Sequence, residues 1–170
     1  VAMKHRTERH AMIRQTIRLL VAVVLVCSAS SLWAAEQWET LQAIHLIENP
    51  HNTSRPGAHG ELGAYQFRQS TWRMHTRKPF RHALVRAHAD QVAVAHYDWL
   101  RLQLRRNGVP ATTYNIAMAW NAGIGAVVSG RVPRSSRQYA QRVVNIAREL
   151  ERSTIAASIS YRAPMARIIL

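Results

Sequence analysis

The chain of 170 residues carries 23 Lys and Arg against nine Asp and Glu, a formal net charge of +14. That length supports one domain with a hydrophobic core, alone or behind a targeting segment. A single cysteine, Cys27, rules out an internal disulfide framework, and the charge favours anionic partners. The basic residues are spread from Arg55 to Arg167 without a helical cluster or a DNA-binding motif, so nucleic acid is not expected as a partner.

Residues 19–35 form an apolar run ending in Trp33-Ala-Ala35, behind Lys4, Arg6, Arg9, Arg14 and Arg18. A basic n-region, a short apolar h-region and a small-residue end make a signal peptide. Met12 is the favoured start, because it gives a compact leader. Residues 1–34 therefore read as a signal peptide cleaved near Ala34. An uncleaved membrane anchor is the alternative, since the run approaches the roughly 17 residues of a short spanning helix. Cys27 lies inside the leader, after Val26 rather than the small residue expected before a lipidated cysteine. Setting aside the leader's five basic side chains and Glu8 leaves +10 on residues 35–170. For an exported chain, in the periplasm or envelope, the nearest anionic partner is the cell wall, and membrane association would come only through the leader.

Residues 36–48 read as a helix, ended by Asn49-Pro50 because a residue before proline avoids the helical region. Residues 49–64, with Pro50, Pro56, Gly57, Gly60 and Gly63, read as a loop. A short helix spans Ser70 to Arg77 and is stopped by Pro79. A longer one runs from Ala87 to Arg106, with Ala93, Tyr97, Leu100 and Leu104 at helical spacing and Asn107-Gly108 as its left-handed end. The next follows Pro110, from Thr113 to Ala122, and the Gly123-Ile-Gly125 turn closes it. Ser135 or Ser136 caps the last helix, which sets Tyr139, Val143, Ile146 and Leu150 on one face as far as about Arg152. Residues 153–170 read as a loosely packed tail. The fold class is mainly α, one helical domain over residues 35–152.

Leu41, Ile44 and Glu48 stand at i, i+3 and i+7, so a carboxylate ends an apolar stripe. Beside a core such a group is desolvated, its pKa rises, and it becomes a proton donor. The plainer reading of a Glu at a helix end is a solvated surface residue. The surrounding segment decides between the two.

Residues 47–67, Ile-Glu-Asn-Pro-His-Asn-Thr-Ser-Arg-Pro-Gly-Ala-His-Gly-Glu-Leu-Gly-Ala-Tyr-Gln-Phe, resemble the signature of soluble lytic transglycosylases. In that signature a helix-ending Glu is followed by an Asn/Pro/Ser loop and a Gly-x-x-Gly-x-x-Gln element. Here the element is Gly60-Glu-Leu-Gly63-Ala-Tyr-Gln66, at the interval from Glu48 that the family commonly shows. Phe67-Arg-Gln-Ser-Thr-Trp72 is similar to the related resuscitation-promoting-factor domains. Ile116-Ala-Met-Ala-Trp-Asn-Ala-Gly123 resembles the family's Ala-x-x-x-Tyr-Asn-Ala-Gly helix end, and Arg137-Gln-Tyr-Ala-Gln-Arg-Val143 its closing Tyr-x-x-x-Val helix. The three blocks stand in family order over residues 40–147. Three positions depart from the pattern: Asn49 replaces the Ser that follows the catalytic Glu, Tyr65 a common Met, and Trp120 a common Tyr. Each can still line a sugar site, since aromatic faces stack on pyranose rings and amides bond hydroxyl and N-acetyl groups.

The resemblance implies a lysozyme-like α-helical fold and a lytic transglycosylase. Such an enzyme cuts the β-1,4 bond between N-acetylmuramic acid and N-acetylglucosamine in peptidoglycan and leaves 1,6-anhydro ends. It assigns Glu48 as general acid and base, and Tyr65, Gln66, Trp120, Asn121 and Tyr139 to substrate binding. Ordinary glycosidases pair two carboxylates. Glu61 is the candidate for a second one, and a solvated loop residue is its plainer reading. A lysozyme-type hydrolase and a catalytically silent peptidoglycan-binding protein are the alternative functions. No cofactor and no metal are expected: His82, His88 and His96 lie near Asp90 and Asp98 without His-Glu-x-x-His spacing and read as partly exposed helix residues. Trp38, Trp72 and Trp99 read as packing aromatics. With the leader processed as read, N-terminal sequencing of envelope material starts near Ala35 or Glu36, whereas an intact leader supports the anchor.

Overall fold

The computed structural model describes Gln15 and residues 34–165. The chain divides into two units, Val1–Glu36 and Gln37–Leu170. Of the first, Gln15 and residues 34–36 are described, all helical, and the signal-peptide reading lies outside the described residues. The second unit is mainly α. It holds α1 (residues 34–48, from Gln37 onward), α2 (Gln69–His75), a 3-10 turn (Phe80–Leu84), α3 (Arg86–Arg106), α4 (Thr113–Ala122), α5 (Ile124–Val128) and α6 (Arg134–Met165). Among the described residues no strand forms, only one antiparallel bridge between Leu62 and Phe67. No described helix is long and apolar enough to cross a membrane.

The helix ends follow their sequence chemistry. Gly108 takes a φ of +69° after α3, its N–H bonds the Arg105 carbonyl, and the Val109 N–H bonds the Leu104 carbonyl. That pair of bonds satisfies carbonyls the helix would otherwise leave open. At the start of α4, Thr112 Oγ1 accepts from the Asn115 N–H at 3.3 Å.

Three differences from the sequence reading have physical causes. Gly123 does stop α4, but the chain then turns a further helix, α5, because Val127 and Ile124 have core to pack against. Neither Ser135 nor Ser136 caps α6, which starts at Arg134; Ser136 is buried and its hydroxyl donates to Asn121 Oδ1 at 2.7 Å. Nor does α6 end near Arg152: it continues to Met165, although its residues 153–160 are exposed, in keeping with a loosely packed stretch. Packing does not hold that extension. Its hydroxyls bond back to the preceding turn, Thr154 to the Leu150 carbonyl and Ser160 to the Ala156 carbonyl, both at 3.0 Å.

The core gathers Leu41 and Ile44 from α1, Trp72 from α2, Leu100 and Leu104 from α3, Ile116 from α4 and Val143 from α6, all sealed from solvent. Burying each aliphatic side chain stabilises by about 1.5–3 kcal/mol. Trp72 also donates its indole N–H to the Lys78 carbonyl at 2.8 Å. Trp99 is half-buried against the core, whereas Trp38 does not pack: it lies 46 % exposed, ahead of the first sealed residues, Thr40 and Leu41.

The 49–66 loop is pinned to the 3-10 turn through Gly63. Its φ is +79°, and a Cβ there would stand 1.8 Å from the Ala83 carbonyl oxygen. Gly60 has a φ of +78° with nothing within 4 Å. Gly63→Ala is therefore expected to destabilise by more than about 2 kcal/mol, and Gly60→Ala by about 1 kcal/mol from backbone strain alone. Urea unfolding measures both, and equal losses would remove the close approach as the cause.

Candidate active site

Leu41 and Ile44 sink into the core, and Glu48, one turn further along the same stripe, is left half-buried at the end of α1. It lines a cavity of about 550 Å³, within the roughly 300–1,000 Å³ of small-ligand pockets. Helix α6 brings Tyr139 from 91 positions away, and its hydroxyl donates to Glu48 Oε1 at 2.7 Å. Burial raises the Glu48 pKa above the ordinary carboxylate value. The Tyr139 donor pulls it back, the charge of Glu61 pushes it up and Arg142 pulls it down, and the balance is upward. Burial, and then the neighbouring carboxylate, also raise the Tyr139 phenol well above its usual range, so it remains a donor.

Glu61 lines the same cavity. Desolvation by itself would raise its pKa, but the N–H groups of His59 and of Glu61, the Arg68 guanidinium and His59 outweigh it, and the net shift is downward. His59 N–H reaches Glu61 Oε2 at 2.8 Å and Arg68 Nε reaches Oε1 at 3.3 Å. One cavity thus holds a carboxyl whose proton affinity is raised and another whose proton affinity is lowered. Opposed environments of this kind separate an acid from an anion.

Gln66 is one of two residues other than glycine with positive φ among the described residues, at +46°. Its Nε2 donates to the Gly63 carbonyl at 3.0 Å, within a turn that the Leu62–Phe67 bridge closes. A Cβ on Gly57 would stand 2.6 Å from both Gln66 Oε1 and Glu61 Oε2. A side chain at position 57 would therefore have to displace the ends of both.

Two residues that the sequence placed at the sugar have other work. Asn49 is buried and its amide ties the loop, donating to the Thr53 carbonyl at 2.9 Å and the Gly63 carbonyl at 3.2 Å while accepting from the Thr53 N–H at 2.9 Å. Tyr65 does line the cavity but is 1 % exposed, and its hydroxyl is committed to Asp90 Oδ1 at 2.6 Å. Arg86 pairs with the same oxygen at 2.8 Å and lies over the Tyr65 ring. Burial, and then Asp90, push the Tyr65 phenol far up. Tyr65 is a buried strut between the loop and α3.

Trp120 and Asn121, at the end of α4, also line the cavity, and the Trp120 ring packs against Tyr65 and Phe67. Asn121 accepts from Ser136, which fixes its carbonyl oxygen. The structure therefore brings Glu48, Glu61, Tyr65, Gln66, Trp120 and Asn121 to one cavity, with the Tyr65 hydroxyl turned to Asp90 and Tyr139 hydrogen-bonded to Glu48. The sequence reading missed the Arg86–Asp90 brace, Ser136 as the partner of Asn121, and His96. His82 and His88 are partly exposed as read, whereas His96 is buried and lines the cavity; His45, which the sequence reading did not single out, is buried beside Arg86. The one available signal was position, since His96 falls within the apolar stripe of α3. His82 stacks on His88, and among the described residues no three His, Cys, Asp or Glu side chains group as a metal site.

No family model, curated protein or solved structure matches the chain.

The electrostatics of the pair can be measured without any substrate. Carbon-13 titration of the glutamate carboxyls should find Glu48 losing its proton at higher pH than Glu61. Tyr139→Phe removes a donor to the charged form and should raise the Glu48 pKa further, whereas Glu61→Gln removes a like charge and should lower it. A Glu48 that titrates below Glu61 would mean that burial does not govern this site.

Proposed function

We propose that the chain is a lytic transglycosylase of the lysozyme-like superfamily, exported to the cell envelope, acting on peptidoglycan glycan strands. The observation that carries the reading is Glu48: a half-buried carboxyl of raised pKa, braced by Tyr139, at the wall of a pocket of ligand size. Two of the three sequence blocks that resemble the family line that pocket, through Glu48 with Glu61 and Gln66 and through Trp120 with Asn121, and the third supplies Tyr139, which braces Glu48. The net positive charge suits a polyanionic wall.

In this mechanism protonated Glu48 gives its proton to the glycosidic oxygen as the bond from the muramyl C1 breaks. The substrate's own acetamido oxygen closes on C1 and carries the positive charge. Ionised Glu48 then takes the proton of the muramyl 6-hydroxyl, whose oxygen displaces the acetamido group and closes the 1,6-anhydro ring. Glu48 ends protonated and no water is consumed. Positive shift of its pKa serves the first step, and the Tyr139 donor, which steadies the carboxylate, serves the second.

Glu61 favours a second reading. An ionised carboxylate in the same pocket is what a two-carboxylate hydrolase uses, with water as the attacking group. Against it, both Glu61 oxygens are already engaged, by His59 and Arg68.

Mass spectrometry of muropeptides released from purified sacculi separates the readings. Glu48→Gln is expected to lose about 100- to 10,000-fold in rate while still folding and binding sacculi. Glu61→Gln should keep most of the activity and still release 1,6-anhydro ends. Reducing ends from the wild type, with Glu61→Gln as inactive as Glu48→Gln, would establish hydrolysis instead. A wild type that binds sacculi and cuts none would be a binding protein.

A further inference from the structure

His96 occupies a position on α3 where its neighbours on the same face, Ala89, Val92, Ala93 and Leu100, are apolar and buried. It is 8 % exposed and lines the cavity. The mechanism above does not use it. Its Nδ1 lies 3.0 Å from His75 Nε2, so one of those nitrogens donates to the other. Its Nε2 has no hydrogen-bond partner among the described residues, and it is not among the sealed polar atoms that lack one. One nitrogen is thus committed and the other is left for the cavity. Burial, and then His75, push the ring's pKa down to about 3, so the imidazole is neutral.

Trp120 stands edge to face with this ring at 4.9 Å and lines the same cavity. The corner therefore offers one neutral hydrogen-bonding nitrogen beside an aromatic surface. A carboxylate or an ammonium group would find no countercharge in His96, whereas an acetamido group matches on both counts. Its amide supplies an uncharged donor and acceptor, and its methyl packs on an aromatic ring. We propose that His96, with Trp120, reads the acetamido group of the sugar bound in this pocket, and that His75 sets which tautomer it presents. When His75 donates, His96 Nε2 carries the hydrogen and bonds the acetamido carbonyl; when His96 donates, Nε2 accepts from the acetamido N–H. The assignment rests on the glycan reading of the pocket.

The test uses the full chain with two probes, the tetramer of N-acetylglucosamine and its de-N-acetylated counterpart, by calorimetry. His96→Asn keeps an amide near the Nδ1 position but withdraws the atom at Nε2, whereas His96→Gln returns an amide near Nε2. His96→Asn is expected to lose about three- to tenfold in affinity for the acetylated tetramer and nothing for the other, and His96→Gln to recover part of the loss. Long-range nitrogen-15 spectra of the wild type should show His96 Nε2 shifting with the acetylated tetramer alone, and this readout carries the test if His96→Asn does not fold. In the same spectra His75→Ala should change the tautomer of His96; an unchanged tautomer overturns the part given to His75. A wild type that cuts sacculi but binds both tetramers equally, or a folded His96→Asn with unchanged preference, overturns the inference and leaves the enzyme reading intact. A wild type that binds neither tetramer and neither binds nor cuts sacculi overturns both.

Discussion

The hydrogen bond from Tyr139 to Glu48 closes α6 onto the end of α1. A carboxyl group that completes an apolar stripe loses its water, and removing a charge from water is costly unless a donor replaces the water or the proton stays on. Both answers are present at Glu48. The donor must itself be protected from solvent to have this effect, and α6 achieves that by burying Tyr139 together with Ala140, Val143 and Ala147. One turn earlier on α6, Ser136 fixes Asn121. A single helix thus holds the acid and steadies the amide that line the same cavity.

Part of the wall of that cavity is a loop, and loops have no ladder of backbone bonds to hold their shape. Side chains supply the restraint here. Asn49 spans the loop's two ends through Thr53 and Gly63. Gly63 presses its backbone on the 3-10 turn, and Tyr65 anchors the loop to α3 through Asp90 and Arg86. These restraints converge on the short stretch between Gly57 and Phe67, which is where Glu61 and Gln66 must stand. The consequence is an acid whose partners are placed before any ligand arrives.

Helix positions were legible because their signals are local. Pro50 and Asn107-Gly108 end elements through their own backbone chemistry, and the stripes of α3 and α6 repeat at helical spacing. Glu48 was legible for the same reason, as the last position of a stripe. What sequence could not supply was the state of each polar side chain, because that depends on partners far along the chain. Tyr65 reads as a sugar contact until Asp90, 25 positions on, takes its hydroxyl. Asn49 reads as a ligand contact until the Gly63 carbonyl turns toward it. Ser136 reads as a helix cap until Asn121 takes its hydroxyl. The end of α6 lies further on than its periodicity suggested: residues 153–160 are exposed, and no buried stripe marks the helix there.

The distance along the chain between Glu48 and Tyr139 has a meaning for the chain before it folds. In an unfolded polypeptide Glu48 is an ordinary solvated carboxylate beside an asparagine and a proline, ionised at neutral pH and inert as an acid. Its altered proton affinity comes from burial against helices that follow it in sequence, α6 among them, so no fragment ending before Tyr139 carries the complete pair. Closing so long a loop is among the slower steps of folding, because its entropy must be lost before the contact compensates. The raised proton affinity at this site is a property of the finished fold.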